Sequence, residues 1–169
     1  MADLETLLTY LTLISVPIGV FYHIMTLNNT RKNQQMQLEA RQAQLYLFFA
    51  AQMTSESLMD NGFKVSTADL KNVEDFNVWV GELGSSNHKA WALTLNFFEN
   101  AGVLVRRDLL DIDMVAVGFA GMTRMYWEKM KPVILEQRVA WSQPRLASEF
   151  EYLYDRLMKY MEEHPELAT

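Results

Sequence analysis

Leu7 to Leu27 reads LLTYLTLISVPIGVFYHIMTL, and this stretch decides the architecture. It contains no Asp, Glu, Lys or Arg. As a helix rising ~1.5 Å per residue it spans roughly 32 Å, which matches a bilayer core of about 30 Å. Its threonines and Ser15 can bond back to their own helix. Pro17 and Gly19 are types commoner in membrane helices than in soluble ones. A signal peptide wants a positive n-region and a small-residue cleavage site. Here Asp3 and Glu5 precede the segment without Lys or Arg, and no A-x-A-like site follows. A buried soluble helix is the other competitor, because the segment is only moderately hydrophobic. The charge-free length favours a transmembrane helix.

Flanking charge sets the expected orientation. No Lys or Arg precedes the segment, whereas Arg31, Lys32 and Arg41 follow it. The positive-inside rule puts the N-terminus outside and the C-terminal domain in the cytoplasm, at the cell membrane. Ser15, Gly19 and His23 recur at every fourth residue and share one helical face. Small residues let membrane helices approach, and a polar neighbour can then bond across. This face is a candidate intramembrane docking face, set against a plain kink site with an interfacial His.

From Asn28 to Gln44 the chain is polar, NNTRKNQQMQLEARQAQ, and rich in helix formers after Arg31. The anchor helix is expected to continue as a stalk. Met36, Ala40, Ala43, Leu47 and Ala50 alternate at spacings of four and three, an a/d seam of two heptads. Sustained coiled coils run longer, so the simpler reading is an amphipathic helix packing on the domain. Leu45, Phe48 and Phe49 widen the stripe in that sense.

The remainder reads as helices. Asn61-Gly62 reads as a turn, and Ser66 or Thr67 as the cap of a helix through Val80, with Phe76, Trp79, Val80 and Leu83 on its apolar face. Ser86 or Asn87 caps the next helix, carrying Trp91, Leu95 and Phe98, and Asn100-Ala101-Gly102 reads as its C-cap. Asp111 caps a helix to about Met130, whose Met114–Met122 centre is apolar all round and reads as buried core. Pro132 reads as a break, and Ser142 with Pro144 as the opening of a last helix bearing Phe150, Leu153, Tyr154, Leu157, Met158 and Met161. His164-Pro165 ends it. The expected fold is all-α: an N-terminal single transmembrane helix continuing into a polar stalk helix, then a compact bundle of about five helices. The expected divisions are an anchor at 1–27, a stalk and first bundle helix at 28–53, a cytoplasmic helical domain at 54–164 and a frayed tail at 165–169.

Composition narrows the function. The 169 residues suffice for one domain and not for two full ones. Cys is absent, which excludes disulfides, thiolate metal sites and thiol catalysis. The net charge of −6 disfavours nucleic acid as a partner, since phosphate binding needs a basic surface. His23, His88 and His164 lie in separate segments without HxxxH or ExxH spacing, so no metal is expected. Asp108, Asp111 and Asp113 do not follow the EF-hand pattern and read as helix capping. No Gly-rich phosphate loop or nucleophile elbow occurs, and no cofactor is expected. The four Trp, nine Phe, seven Tyr and eleven Met read as core filling rather than a cofactor pocket. Glu99, Glu128 and Arg138 flank apolar runs and form a candidate buried charge network, set against an ordinary structural ion pair.

One stretch carries a resemblance. Asn96 to Arg138 holds Phe97-Phe98-Glu99, Gly102, Leu104-Val105, Trp127-Glu128, Pro132, Ile134 and Arg138. This resembles a domain-of-unknown-function family of small prokaryotic membrane-anchored helical proteins, with its FFE-x-x-G-x-LV turn, a helix ending in WE, then P-x-I and an Arg. Members often carry an N-terminal membrane helix and a polar stalk, like TRKNQQMQLEARQAQLY here. The likeness covers most of the chain after residue 28. It implies the architecture and no activity. The expected function is a non-enzymatic accessory or regulatory subunit, bound to the lipid bilayer and to a larger membrane protein complex. A self-associating scaffold is the alternative, and an enzyme with a carboxylate/Arg pocket the third reading.

Overall fold

A single helix, α1 (Leu4–Met53), carries the expected anchor and stalk segments without a break. The computed structural model describes residues 3–167. Met1, Ala2, Ala168 and Thr169, which include the end of the expected frayed tail, lie outside the described residues. Then come α2 (Glu56–Thr67), α3 (Val73–Val80), α4 (Ser86–Arg106), α5 (Ile112–Ala140) and α6 (Ser148–Glu163), followed by a 3-10 turn at Pro165–Leu167. No strand occurs among the described residues. Contacts divide the chain into two units, Met1–Arg41 and Gln42–Thr169.

The first unit holds α1 as far as Arg41. This helix is long and apolar enough to cross a membrane, and no described side chain of its apolar window is buried. Phe21 and Tyr22 are 65% and 71% exposed. Pro17 sits inside the helix. The Thr26 hydroxyl donates to the Tyr22 carbonyl at 2.9 Å, so its polar group is satisfied within the helix.

The second unit is the bundle. α4 lies against α2 and α6, α5 packs on α6, and α3 rests on α4 and α5. Phe98, Trp127, Met130, Ile134, Phe150 and Leu153 form its fully buried centre. Asp111 caps α5 as expected, accepting from the Asp113 N–H at 3.0 Å. The apolar stripe of α6 also holds: Leu153 and Leu157 are buried, while Tyr154, Met158 and Met161 are half-buried.

Several local stop signals are overruled by packing. Asn61-Gly62 lies within α2, which Ser55 caps by accepting from the Leu58 N–H at 3.3 Å. Gly62 is buried under the Tyr126 ring, where a β-carbon would meet the phenol oxygen. α3 starts at an Asn72 cap rather than at Ser66 or Thr67, because buried Ala68 and Leu70 hold an extended link between two helices. α3 ends at Gly81, which takes φ +64°, and Leu83 lies beyond it, exposed. Ser85, not Ser86 or Asn87, caps α4 by accepting from the His88 N–H at 3.0 Å. α4 also runs through Asn100–Gly102 to Arg106.

α5 passes through Pro132 unbroken. Pro132 and Glu128 are both exposed, so the carbonyl that loses its partner lies on the solvent side. Buried Met130, Val133 and Ile134 hold the helix on the other side. The departure from helical geometry falls instead at Phe119 (φ −153°, ψ 27°). The Met114–Met122 centre is buried on one side only. Val115, Ala116 and Phe119 face the core, whereas Val117 is 67% exposed. Gly118 admits the Tyr46 ring, but Gly121 meets nothing. The last helix opens at Ser148 after a turn that places buried Ala147 in the left-handed region (φ 56°).

Gly102 makes the closest approach of the bundle: a β-carbon there would run into the backbone carbonyl of Glu149 in α6. Backbone cannot swing aside as a side chain can. Gly102→Ala is therefore expected to lower stability by about 1–3 kcal/mol, the usual range for overpacking. Denaturant unfolding of the full chain in detergent measures it. Unchanged stability would show that α4 and α6 can separate freely.

Candidate functional site

Five of the residues that carry the family resemblance, Phe98, Glu99, Gly102, Trp127 and Arg138, meet at the start of α6. Ala147 offers no side-chain cap to that helix. The Glu99 carboxylate, reaching over from α4, accepts from the Phe150 N–H at 2.6 Å and serves instead. Phe98 stacks on Phe150 with centroids 4.6 Å apart, and Trp127 meets the same ring edge-on at 5.1 Å. Arg106 pairs with Glu149 at 2.5 Å and lies 3.8 Å over the Tyr152 ring. Arg138 donates to the Leu146 carbonyl at 2.8 Å and pairs with Glu151 at 2.8 Å.

Glu99 and Arg138 thus act on the same helix end, on different partners. Glu128 does not join them. It pairs with Arg124 at 2.9 Å and accepts from the Tyr154 hydroxyl at 3.4 Å, with half its side chain exposed. The chemistry of Glu99 and Arg138 is consumed in anchoring α6. Around Arg138 a polar surplus remains: its Nη2 and both amide atoms of the adjacent, buried Gln137 have no hydrogen-bond partner among the described residues. Nothing in the sequence marks Gln137. Among the described residues no cluster of His, Asp and Glu is arranged to hold a metal ion.

On α1, Ser15, Gly19 and His23 are all exposed. Met36, Ala40, Ala43 and Leu47 are exposed as well, and Ala50 is half-buried. In the second unit the bundle grips the neighbouring face of α1. Phe49 and Met53 are buried there, and the Phe49 ring meets Phe97 at 5.2 Å. Gln42 donates to the Asp108 carbonyl at 3.2 Å.

A groove that sequence reasoning missed opens beside this grip, between the last turns of α1, the start of α2 and α4. Its volume is about 570 Å³, and Leu45, Phe48, Leu93, Phe97 and Val103 line it. Its polar lining, including Gln52, Asn96 and Asn100, carries no charge. Phe48 is 57% exposed and Leu93 46%. Leu45 and Phe48 stood out as a stripe in the sequence, but the α4 wall needs three helices brought together before it shows.

Burial holds the Glu99 carboxyl above its ordinary range, against the opposing pull of the Phe150 and Glu149 backbone N–H groups. The folded chain therefore binds more protons here than the unfolded chain, from the ordinary value of 4.5 up to the raised one. Stability from this group is present at low pH and falls as pH rises through that interval. Glu99→Gln keeps an acceptor without the titration and is expected to flatten the fall. Glu99→Ala loses the cap and should cost about 1 kcal/mol. Denaturant unfolding across about pH 4 to 7 reads both, and a Gln variant with the wild-type slope would mean burial does not govern the group.

The family model of a domain of unknown function, DUF4760, matches residues 13–157. No curated protein and no solved structure matches the chain. The chain belongs to the DUF4760 family.

Proposed function

We propose that this DUF4760 member is a membrane-anchored, non-enzymatic accessory or regulatory subunit of a larger membrane protein complex. α1 crosses the bilayer with its N-terminus outside, and the bundle lies in the cytoplasm. The observation that carries the reading is the exposure of the described apolar side chains of α1 from Leu8 to Leu27. Such a surface is untenable in water and ordinary in lipid. Arg31, Lys32 and Arg41 after the segment support the orientation.

The groove beside Phe48 and Leu93 supplies the contact with the complex. Its occupant is an amphipathic helix from a cytoplasmic segment of the membrane partner, with apolar anchors on one face. The uncharged amides of Gln52, Asn96 and Asn100 suit the polar flank of such a helix and make no demand for a charged partner. The enzyme reading loses support, because Glu99 and Arg138 are engaged in holding α6 and Glu128 lies apart on the surface.

Purification of the full chain from native membranes in mild detergent tests this. The expected result is a stoichiometric complex that Leu93→Glu in the groove disrupts at least tenfold, with the fold retained by circular dichroism. Recovery of this chain without another protein would sink the reading. Recovery in the soluble fraction without detergent would remove the anchor itself.

A further inference from the structure

We propose that α1 pairs, parallel and in register, with α1 of a second copy of this chain along one heptad frame shared by its membrane segment and its stalk. The inference rests on the anchored reading and names an additional partner, the chain itself. In the membrane half the frame passes through Gly19, Tyr22 and Thr26. In the stalk half it passes through Asn29, Asn33, Met36 and Ala40. Successive spacings alternate three and four without a slip, and every one of these positions is exposed. Ser15 falls one step before them in the same phase, and Ala43, Leu47 and Ala50 continue it.

The stalk seam alone covers two heptads, too few for a coiled coil. α1 is one helix across both segments, so the frame from Gly19 to Ala40 already covers three. That meets the length a sustained pair needs. A strict seven-residue repeat drifts on a straight helix and stays in contact only when two helices wind left-handedly around each other.

Charge placement agrees. No frame position is charged, whereas Arg31, Lys32, Glu39 and Arg41 all fall outside it. In a parallel pair each g residue faces the e residue five positions on in the other helix. Lys32 then faces Gln37, and Glu39 faces Gln44, so no like charges meet. Two copies inserted by the same rule are parallel by necessity. Asn33 at an a position, with Asn29 one step before, can bond its own counterpart, which fixes register and the two-stranded state. Neither Asn side chain has a hydrogen-bond partner among the described residues.

The same frame identifies the partner. It keeps one phase from an apolar segment into a polar one, so the opposing helix must change character at the same height. A second copy in register does so by construction.

The chain has no Cys, so single cysteines report without background. Asn33→Cys, Met36→Cys and Ala40→Cys place a thiol on the seam, while Gln35→Cys and Leu38→Cys place one on the outer faces. Each full-length variant is treated with a short bis-maleimide in native membranes. The expected result is covalent dimers of this chain at the three seam positions, at least fivefold more than at the two outer ones. No dimer at the seam, equal yields at all five positions, or adducts whose mass includes a different protein would each overturn the proposal. Those outcomes leave the groove test standing, since Leu93 lies outside α1.

Discussion

The bundle depends on the crossing of α4 over the first turn of α6 at Gly102. Only a residue without a side chain lets the Glu149 backbone come this close. Glu99, Gly102 and Arg106 lie three and four apart, on one face of α4. Once the backbones touch, Glu99 reaches the Phe150 N–H on one side and Arg106 reaches Glu149 on the other. α5 is tied to the same end through Trp127 on Phe150 and Arg138 on Leu146. The chemistry of an acid, an Arg and aromatics is therefore spent on one helix terminus. That terminus needs outside help, because Ala147 adopts a left-handed conformation and has no side chain with which to cap.

A half-buried carboxylate held by N–H donors sits between two opposing effects. Desolvation disfavours its charge, and the helix start favours it. At Glu99 desolvation prevails, with the nearby Glu149 adding to it. Such a group resembles a poised catalytic acid when its pKa alone is considered. Its hydrogen bond to Phe150 shows what it holds, and Arg138 is engaged with Leu146 and Glu151.

The sequence made periodic features legible and left interrupted ones obscure. The charge-free run of α1, the stripe of α6 and the Asp111 cap are local and depend on few distant residues. Asn61-Gly62, Asn100–Gly102 and Pro132 read as stops because their intrinsic preferences are strong. In the fold each preference is overridden by a neighbour absent from the local sequence: Tyr126 over Gly62, Glu149 over Gly102, and buried Met130, Val133 and Ile134 around Pro132. The bend at Phe119 lies beside Gly118, a weak signal because the same glycine is also accounted for by the close approach of Tyr46. The groove at Phe48 and Leu93 was out of reach for another reason: its walls come from three separate helices.

α1 has to meet different demands along its length. Its last turns give Phe49 and Met53 to the bundle and leave Ala43 and Leu47 on an adjacent exposed face, about 100° around the helix. The Asn- and Gln-rich stretch before them buries nothing, and a side-chain pair such as Gln35 to Glu39 at 3.1 Å adds only tenths of a kcal/mol, roughly 0.2–0.5. Isolated helices without packing are marginal in water. Continuity with the apolar segment spares this stretch the cost of nucleation, but propagation through poor helix formers such as Asn28, Asn29 and Asn33 still needs support. The proposed second helix along the uncharged seam would give that support at Asn29 and Asn33, two weak helix formers that it turns into cross-helix hydrogen-bonding groups.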